Sequence, residues 1–371
     1  MTKIKDIGEQ GLLERLHRFC PPEMIGDDAA VLVTEPEQSL VVTTDVLVDG
    51  VHFSNVTTSP EDAGWRAAAA NLSDLAAMGA SPLGIAVGLG LPGDLSVNWV
   101  EKLYQGMTEC LQKYNTQIVG GDVVRSPVTT LAITAFGQVH PSRIIRRSAA
   151  VVGDAIVVTG VHGASHAGLE LLLHPQRGQN LKDEEKTALI IAHQRPQPRL
   201  DVLPILEKIL PSPCLMPNTS LREAAPTPSL QDATRTCTER SRSTLSTSAI
   251  CPMPIAGMDS SDGLADAVIQ ICRASGVGAV LELRQICLPM AFNHWLTPEQ
   301  ALQYALYGGE DFELVLCLPQ KSASALVKHL GEGAAIVGRI TPGSTILLHD
   351  EQKKFPDQVL TLSQGFQHFK S

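Results

Sequence analysis

Several features that would announce a function are missing from this chain of 371 residues. Its eight cysteines form no C-x-x-C pair, and no histidine cluster stands at zinc spacing, which argues against a structural zinc site and fits a reducing cytoplasm. Positive charge is scarce: 29 Lys and Arg face 39 Asp and Glu, for a net charge of -10. Binding a nucleic-acid backbone needs concentrated cations to displace counterions, so that class is set aside. No apolar run reaches membrane-spanning length, and "MTKIKDIGEQ" carries charges where a signal peptide needs its apolar stretch. The expectation is a cytoplasmic chain that engages neither membrane nor nucleic acid. Nucleotide signals of the common kinds are absent too, with no G-x-x-x-x-G-K-[ST] loop and no protein-kinase catalytic set. "GLGLPG", Gly88 to Gly93, matches G-x-G-x-x-G, but Pro92 restricts the turn and no acid stands out at the usual distance beyond it.

What is present is enough apolar sequence, 44% of residues, to bury more than one core, and the length suits two domains. Periodicity predicts a short helix over "IGEQGLLERLHRF", strands at "AAVLVTE" and "SLVVTTDVLV", and an alanine-rich helix "SPEDAGWRAAAANLSDLAAMGA" opened by Ser59-Pro60 and stopped by Gly79. A strand "LGIAVGLGLP", a helix "SVNWVEKLYQGMTECLQKY" and a strand "TTLAITAFGQV" complete a first unit, residues 1–144. A second α/β unit, 145–371, is expected from "DAIVVTG", "HAGLELLLH", "RLDVLPILEKIL", the helix after Asp262, "GAVLEL" and "FELVLCL". It is interrupted at 211–254 by a Ser/Thr/Pro-rich stretch with neither helical nor strand period, which reads as a disordered insertion.

The distinctive feature is where the acids fall. "GDDAAV", "TTDVLVDGVHF", "NLSDLAAMG", "GGDVV", "GMDSSDGLADAV" and "GGEDFEL" set aspartates and a glutamate beside glycines or at the ends of apolar segments. One such Asp is ordinarily a helix cap or turn former. Asp74 is harder to dismiss, because it lies in the alanine-rich helix among Leu72, Leu75 and Met78, and a buried carboxylate is costly unless paired or bound to a metal. Several aspartates on separated glycine turns suggest more than one hard divalent cation, with phosphate oxygens completing the shells. The glycines would let backbone approach a ligand closely, and the start of the helix after Asp262, with the Ser261 hydroxyl, could face a phosphate oxygen. Arg146 and Arg147 read either as a phosphate fork or as plain surface charge.

Taken in order, "GDDAAV", "TTDVLVDGVHF", "NLSDLAAMGASP", "GGDVVRSP", "RRSAAVVGD", "DSSDGLAD" and "GGEDFEL" resemble the thiamine-monophosphate kinase family of the aminoimidazole-ribonucleotide-synthetase-like superfamily. The likeness spans nearly the whole chain outside 211–254. It implies an α/β fold of two domains, with N-terminal sheets joined into a barrel across a homodimer interface, and an ATP- and Mg²⁺-dependent transfer of phosphate to thiamine monophosphate. Position by position it implies metal ligands at Asp28, Thr43, Thr44, Asp45, Asp74, Asp122, Asp259 and Asp262. Nucleotide contacts fall on Tyr104, Gly121, Asp122, Arg147 and Ser261, and substrate contacts on His52, Glu310 and Phe366. No general base is required, since the attacking phosphate oxygen is already largely ionised near neutral pH, and Asp45, Asp74 and Asp122 would act electrostatically through bound metal. The insertion and the Met258-Asp259-Ser260 run depart from the family pattern without removing a ligand. The alternatives are a relative of the aminoimidazole ribonucleotide synthetase or selenophosphate synthetase type, against which Cys20 lacks the setting of a reactive thiol, or a metal- or nucleotide-binding regulator without turnover.

Overall fold

A computed structural model describes residues 2–24, 29–210 and 255–362. Asp28, Phe366 and the 211–254 stretch lie outside the described residues.

The strands are β1 (Ser39–Val48), β2 (Ser81–Leu91), β3 (Ile118–Arg125), β4 (Thr130–Val139), β5 (Ala155–Val158), β6 (Ala256–Asp259), β7 (Gly278–Glu282), β8 (Leu314–Leu318), β9 (Ala335–Thr341), β10 (Ile346–His349) and β11 (Gln358–Val359). The helices are α1 (Ile4–Leu16), α2 (Pro60–Ala77), α3 (Val97–Lys113), α4 (Ala164–Leu173), α5 (Asp183–Gln194), α6 (Leu203–Ile209), α7 (Leu264–Ser275), α8 (Phe292–Trp295), α9 (Pro298–Tyr307) and α10 (Gln320–Leu330). They build a mixed α/β architecture on two sheets, ordered β1-β4-β2-β3 and β11-β10-β7-β9-β5-β8-β6.

Among the described residues, the first sheet is covered on one face only. Its strands β1 and β4 alternate strictly, so Val41, Thr43, Asp45 and Leu47 turn toward α2 and α3 while Leu40, Val42, Thr44 and Val46 turn away. In the second sheet β5, β6 and β8 are buried along their whole length, between a core built on α7 and another built on α6 and α10. Helix α2 belongs to both units. Most of it packs in the first core, but Ala76 and Ala77 at its end pack with Leu314 and Leu316 of β8.

Sequence chemistry explains the ends of α2. The Ser59 hydroxyl accepts the Asp62 N–H at 3.1 Å, Pro60 occupies the first turn, and Gly79 ends the helix with a φ of 75°. Two expectations are corrected. The "AAVLVTE" segment forms no strand; Val31 and Val33 are exposed, and the edge beside β4 is taken by β1, which starts at Ser39. "GGDVV" is not a turn but lies in β3, where a Cβ on Gly121 would come within 2.1 Å of the Val87 carbonyl oxygen of β2. Gly121 there allows close strand contact. The "GLGLPG" run is likewise mostly β2 backbone and forms no phosphate loop.

Helices α2 and α3 meet through two more glycines. A Cβ on Gly106 would lie 1.7 Å from the Glu61 carbonyl oxygen, and one on Gly64 1.9 Å from that of Leu103. Even the smallest side chain forces the helices apart, which outweighs its better helix propensity. Gly106→Ala is therefore expected to lower stability by about 1–3 kcal/mol in chemical denaturation, and an unchanged midpoint would show that this contact is looser than described.

Candidate active site

Three elements carry acids to one place. Thr43 and Asp45 project from β1 onto α2, whose Asn71 side chain accepts the Asp45 N–H at 3.2 Å. The Thr43 hydroxyl donates to Asp74 of α2 at 2.5 Å. The neighbouring Ser73 donates across the domain junction to Asp259, the last residue of β6, at 2.7 Å. Asp259 is 3% exposed and also accepts the Ser261 hydroxyl at 3.1 Å. Beyond it the chain turns at Gly263, with φ 100° and no room for a Cβ beside the Leu306 carbonyl, before α7 begins.

The carboxylates sense one another. Burial, then the nearby charges of Asp74 and Asp262, push Asp45 up to about 6. Burial and the charges of Asp74 and Asp45 push Asp259 up to about 7, against the opposing pull of the Ser73 and Ser261 hydroxyls. Asp74 is raised by burial, with Thr43 and the Arg147 guanidinium pulling the other way. Asp266 is raised by burial and by Asp262, again opposed in part by Arg147. Arg147 thus stands within electrostatic reach of the cluster, on the exposed turn before β5.

A cavity of about 1040 Å³ opens from this cluster between the two units. Asp45, Ser261 and Asp262 line it together with His52, Phe53, Leu169, Tyr307 and Glu310. Five residues expected at the site from sequence, Asp45, His52, Ser261, Asp262 and Glu310, therefore share one space. Others do not. Asp122 is exposed on the open face of the first sheet, in a row with Gly88, Ala132 and Val46, and lines a separate shallow depression. Thr44 is on that face too, paired with the Thr134 hydroxyl at 2.9 Å. Tyr104 is 4% exposed, its ring against Phe19 at 5.5 Å, away from the cavity. Gly121 lies on β3 at the sheet edge. Asp311, beside Glu310, serves structure: it accepts the N–H groups of Gly163 and Ser165 at 2.6 and 2.9 Å, capping α4.

Sequence reasoning missed Arg66, Ser165, His166 and His193, all on the cavity wall. A signal existed for Arg66. It is a charge within an alanine-rich helix, the same oddity that drew attention to Asp74, and it demands a buried partner. The histidines, on helices whose sequences mark no site, gave none.

Among the described residues, no group of three or more His, Cys, Asp and Glu side chains is arranged to clasp a metal ion by itself. The donor set is nonetheless all oxygen, and buried carboxylates that repel one another suit a cation that keeps waters and is completed by phosphate.

Two protein-family models match the chain: AIR synthase related protein, N-terminal domain, over residues 26–139, and AIR synthase related protein, C-terminal domain, over 250–350. Both halves of the chain are therefore those of an AIR synthase related protein. The thiamine-monophosphate kinase of Synechococcus elongatus is 47% identical over 366 residues, 99% of this chain and 98% of that protein. Among solved structures, the thiamine-monophosphate kinase from Stenotrophomonas maltophilia K279a superposes with a TM-score of 0.70 at 29% identity, covering 92% of this chain and 95% of that one. AaThiL complexed with AMPPCP and TMP does so with a TM-score of 0.65 at 27% identity, over 97% and 98%. The chain belongs to the thiamine-monophosphate kinase family.

The raised acids tie stability to pH. A carboxyl whose folded-state value exceeds its unfolded one favours the fold fully at pH below the unfolded value, and that contribution is lost as pH rises through the folded one. For Asp259 the window runs from its ordinary 3.8 to about 7. In protein freed of divalent cations, Asp259→Asn is expected to become progressively more stable relative to the parent chain as pH is raised from 5 to 8, measured by urea denaturation. A difference that stays constant with pH would contradict the assigned electrostatics.

Proposed function

We infer that this chain is an enzyme that phosphorylates thiamine monophosphate with ATP, giving thiamine diphosphate. The observation that carries the reading is a single cavity joining a buried acidic cluster to a wall of mixed polar and apolar groups, in a chain with close family membership along its full length. The chemical obstacle is repulsion between two phosphate-bearing anions, which the acidic cluster alone would worsen. Asp45, Asp74, Asp259 and Asp262, with the Thr43 hydroxyl, would hold Mg²⁺ ions, which neutralise the phosphates and align them. Asp28, assigned to the same set by resemblance, lies outside the described residues.

The chain's own groups then divide the work. Arg147, near Asp74 and Asp266, is placed to meet nucleotide phosphate, as is the Ser261 hydroxyl. Because β3 is a sheet edge, a nucleotide lying along it could meet the Gly121 backbone and the Asp122 side chain. Tyr104 has no part in this reading. The acceptor's organic portion would lie toward His52 and Glu310. Transfer is direct and in line, without a phospho-enzyme. Among the described residues the cavity wall offers no cysteine, and burial raises the thiols of Cys20, Cys110, Cys272, Cys287 and Cys317.

We further propose the domain boundary at 144/145, in the connection between β4 and β5, and a cytoplasmic homodimer. The uncovered sheet face supports the dimer: Leu40, Val42, Val46 and Val124 are each about half exposed there, Val42 at 53%. Two such faces brought together would close the sheets into a barrel.

An ADP-release assay run with and without thiamine monophosphate tests the activity. Substrate-dependent ADP is expected, and nucleotide binding without turnover would instead favour a regulator. Asp45→Asn is expected to remove nearly all turnover from a folded protein, and Asp122→Asn to weaken it through nucleotide binding; near-parental kinetics in the first variant would mean the metal assignment is misplaced. Val42→Asp should shift the protein toward monomer in sedimentation, and an unaltered dimer would place the interface elsewhere.

A further inference from the structure

Glu310 reaches the cavity from an unusual backbone. Its φ is 67°, in the left-handed region, and its N–H donates to the Ser261 carbonyl at 2.7 Å, joining it to the loop that carries Asp259 and Asp262. A non-glycine residue is kept in such a conformation only where its surroundings hold it.

Those surroundings form a polar network behind the carboxylate. Arg66 of α2, 2% exposed, donates from Nη2 to Glu310 Oε1. His193 of α5, equally buried, sets Nδ1 3.5 Å from Glu310 Oε2 and 3.2 Å from the Ser165 hydroxyl, with Nε2 3.3 Å from Arg66 Nη1. A guanidinium only donates, so Nε2 must accept. The ring proton therefore sits on Nδ1, facing Ser165 and Glu310. Burial, with the charge of Arg66 second, pushes His193 down to about 3, so it stays neutral and directs without adding charge.

We propose that Arg66 and His193 are positioning residues that fix the orientation of the Glu310 carboxylate, so that its remaining lone pairs engage an N–H donor or cationic ring of the acceptor. The inference rests on the reading of Glu310 as an acceptor contact. The network governs how well the acceptor is held, while the chemistry occurs at the acidic cluster, to which the Glu310 N–H couples it.

The test is steady-state kinetics of the full chain with ATP and thiamine monophosphate, alongside thermal unfolding. His193→Gln is expected to raise KM for thiamine monophosphate by roughly threefold, the scale of one weak polar contact such as the 3.5 Å approach of Nδ1 to Glu310, with kcat and KM for ATP little changed. Combined with Glu310→Gln it should add almost nothing to the effect of Glu310→Gln alone, because it acts through that carboxylate. Ser165→Ala, which removes the competing partner of Nδ1, should not raise this KM, and it serves where His193→Gln folds poorly. An unchanged KM in His193→Gln, full additivity in the double variant, or a raised KM in Ser165→Ala overturns the proposal. A parent chain with no turnover of thiamine monophosphate would sink the functional reading itself. Parental KM in Glu310→Gln, with turnover intact, would overturn the acceptor contact at Glu310 and the positioning role with it, leaving the activity standing, whereas a raised KM there beside a parental KM in His193→Gln would overturn the positioning role alone.

Discussion

The structure is organised around a repulsion. Burial raises the proton affinity of Asp45, Asp74 and Asp259, and neighbouring acids add to it: Asp74 and Asp262 at Asp45, Asp74 and Asp45 at Asp259. A fold built only for stability would avoid such an arrangement or pair each acid with a base. Here hydroxyls from Thr43, Ser73 and Ser261 supply hydrogen bonds, and the Arg147 guanidinium pulls against the rise at Asp74. A bound cation would relieve the tension that is left.

Helix α2 is where the two halves of the molecule are brought to terms. It carries Asp74 and Ser73 toward the acidic cluster, Arg66 toward Glu310, and Trp65 to the Pro196 carbonyl at 2.7 Å. Its alanines are small enough to let it lie against the first sheet and, at its end, against β8 of the second. Glycines let α3 approach it on the other side. One helix thus fixes the spacing between the acids that would meet phosphate and the carboxylate that would meet the rest of the acceptor.

Much of the fold was legible. The ends of α2 were written in Ser59, Pro60 and Gly79, and the period-two pattern of "SLVVTTDVLV" marked β1 correctly. Where local reading failed, tertiary context had overridden it. "AAVLVTE" has strand composition, yet it leaves Val31 and Val33 exposed and joins neither sheet, and the glycines before Asp122 looked like a turn although they lie in β3, where Gly121 packs closely on β2. Helix α5, which brings His193 to the site, went unremarked.

The sequence by itself determined the chemical kind of groups on offer: carboxylates beside glycines and at the ends of apolar segments, few cations, and an acid in a helix that needed a partner. Only the tertiary structure decided which acids share a space. Along a strand, adjacent residues point to opposite faces, so Thr43 and Asp45 reach the cluster while Thr44, between them, does not. The meeting of Arg66, His193 and Glu310, far apart along the chain, depends on helix and loop placement that no local pattern encodes.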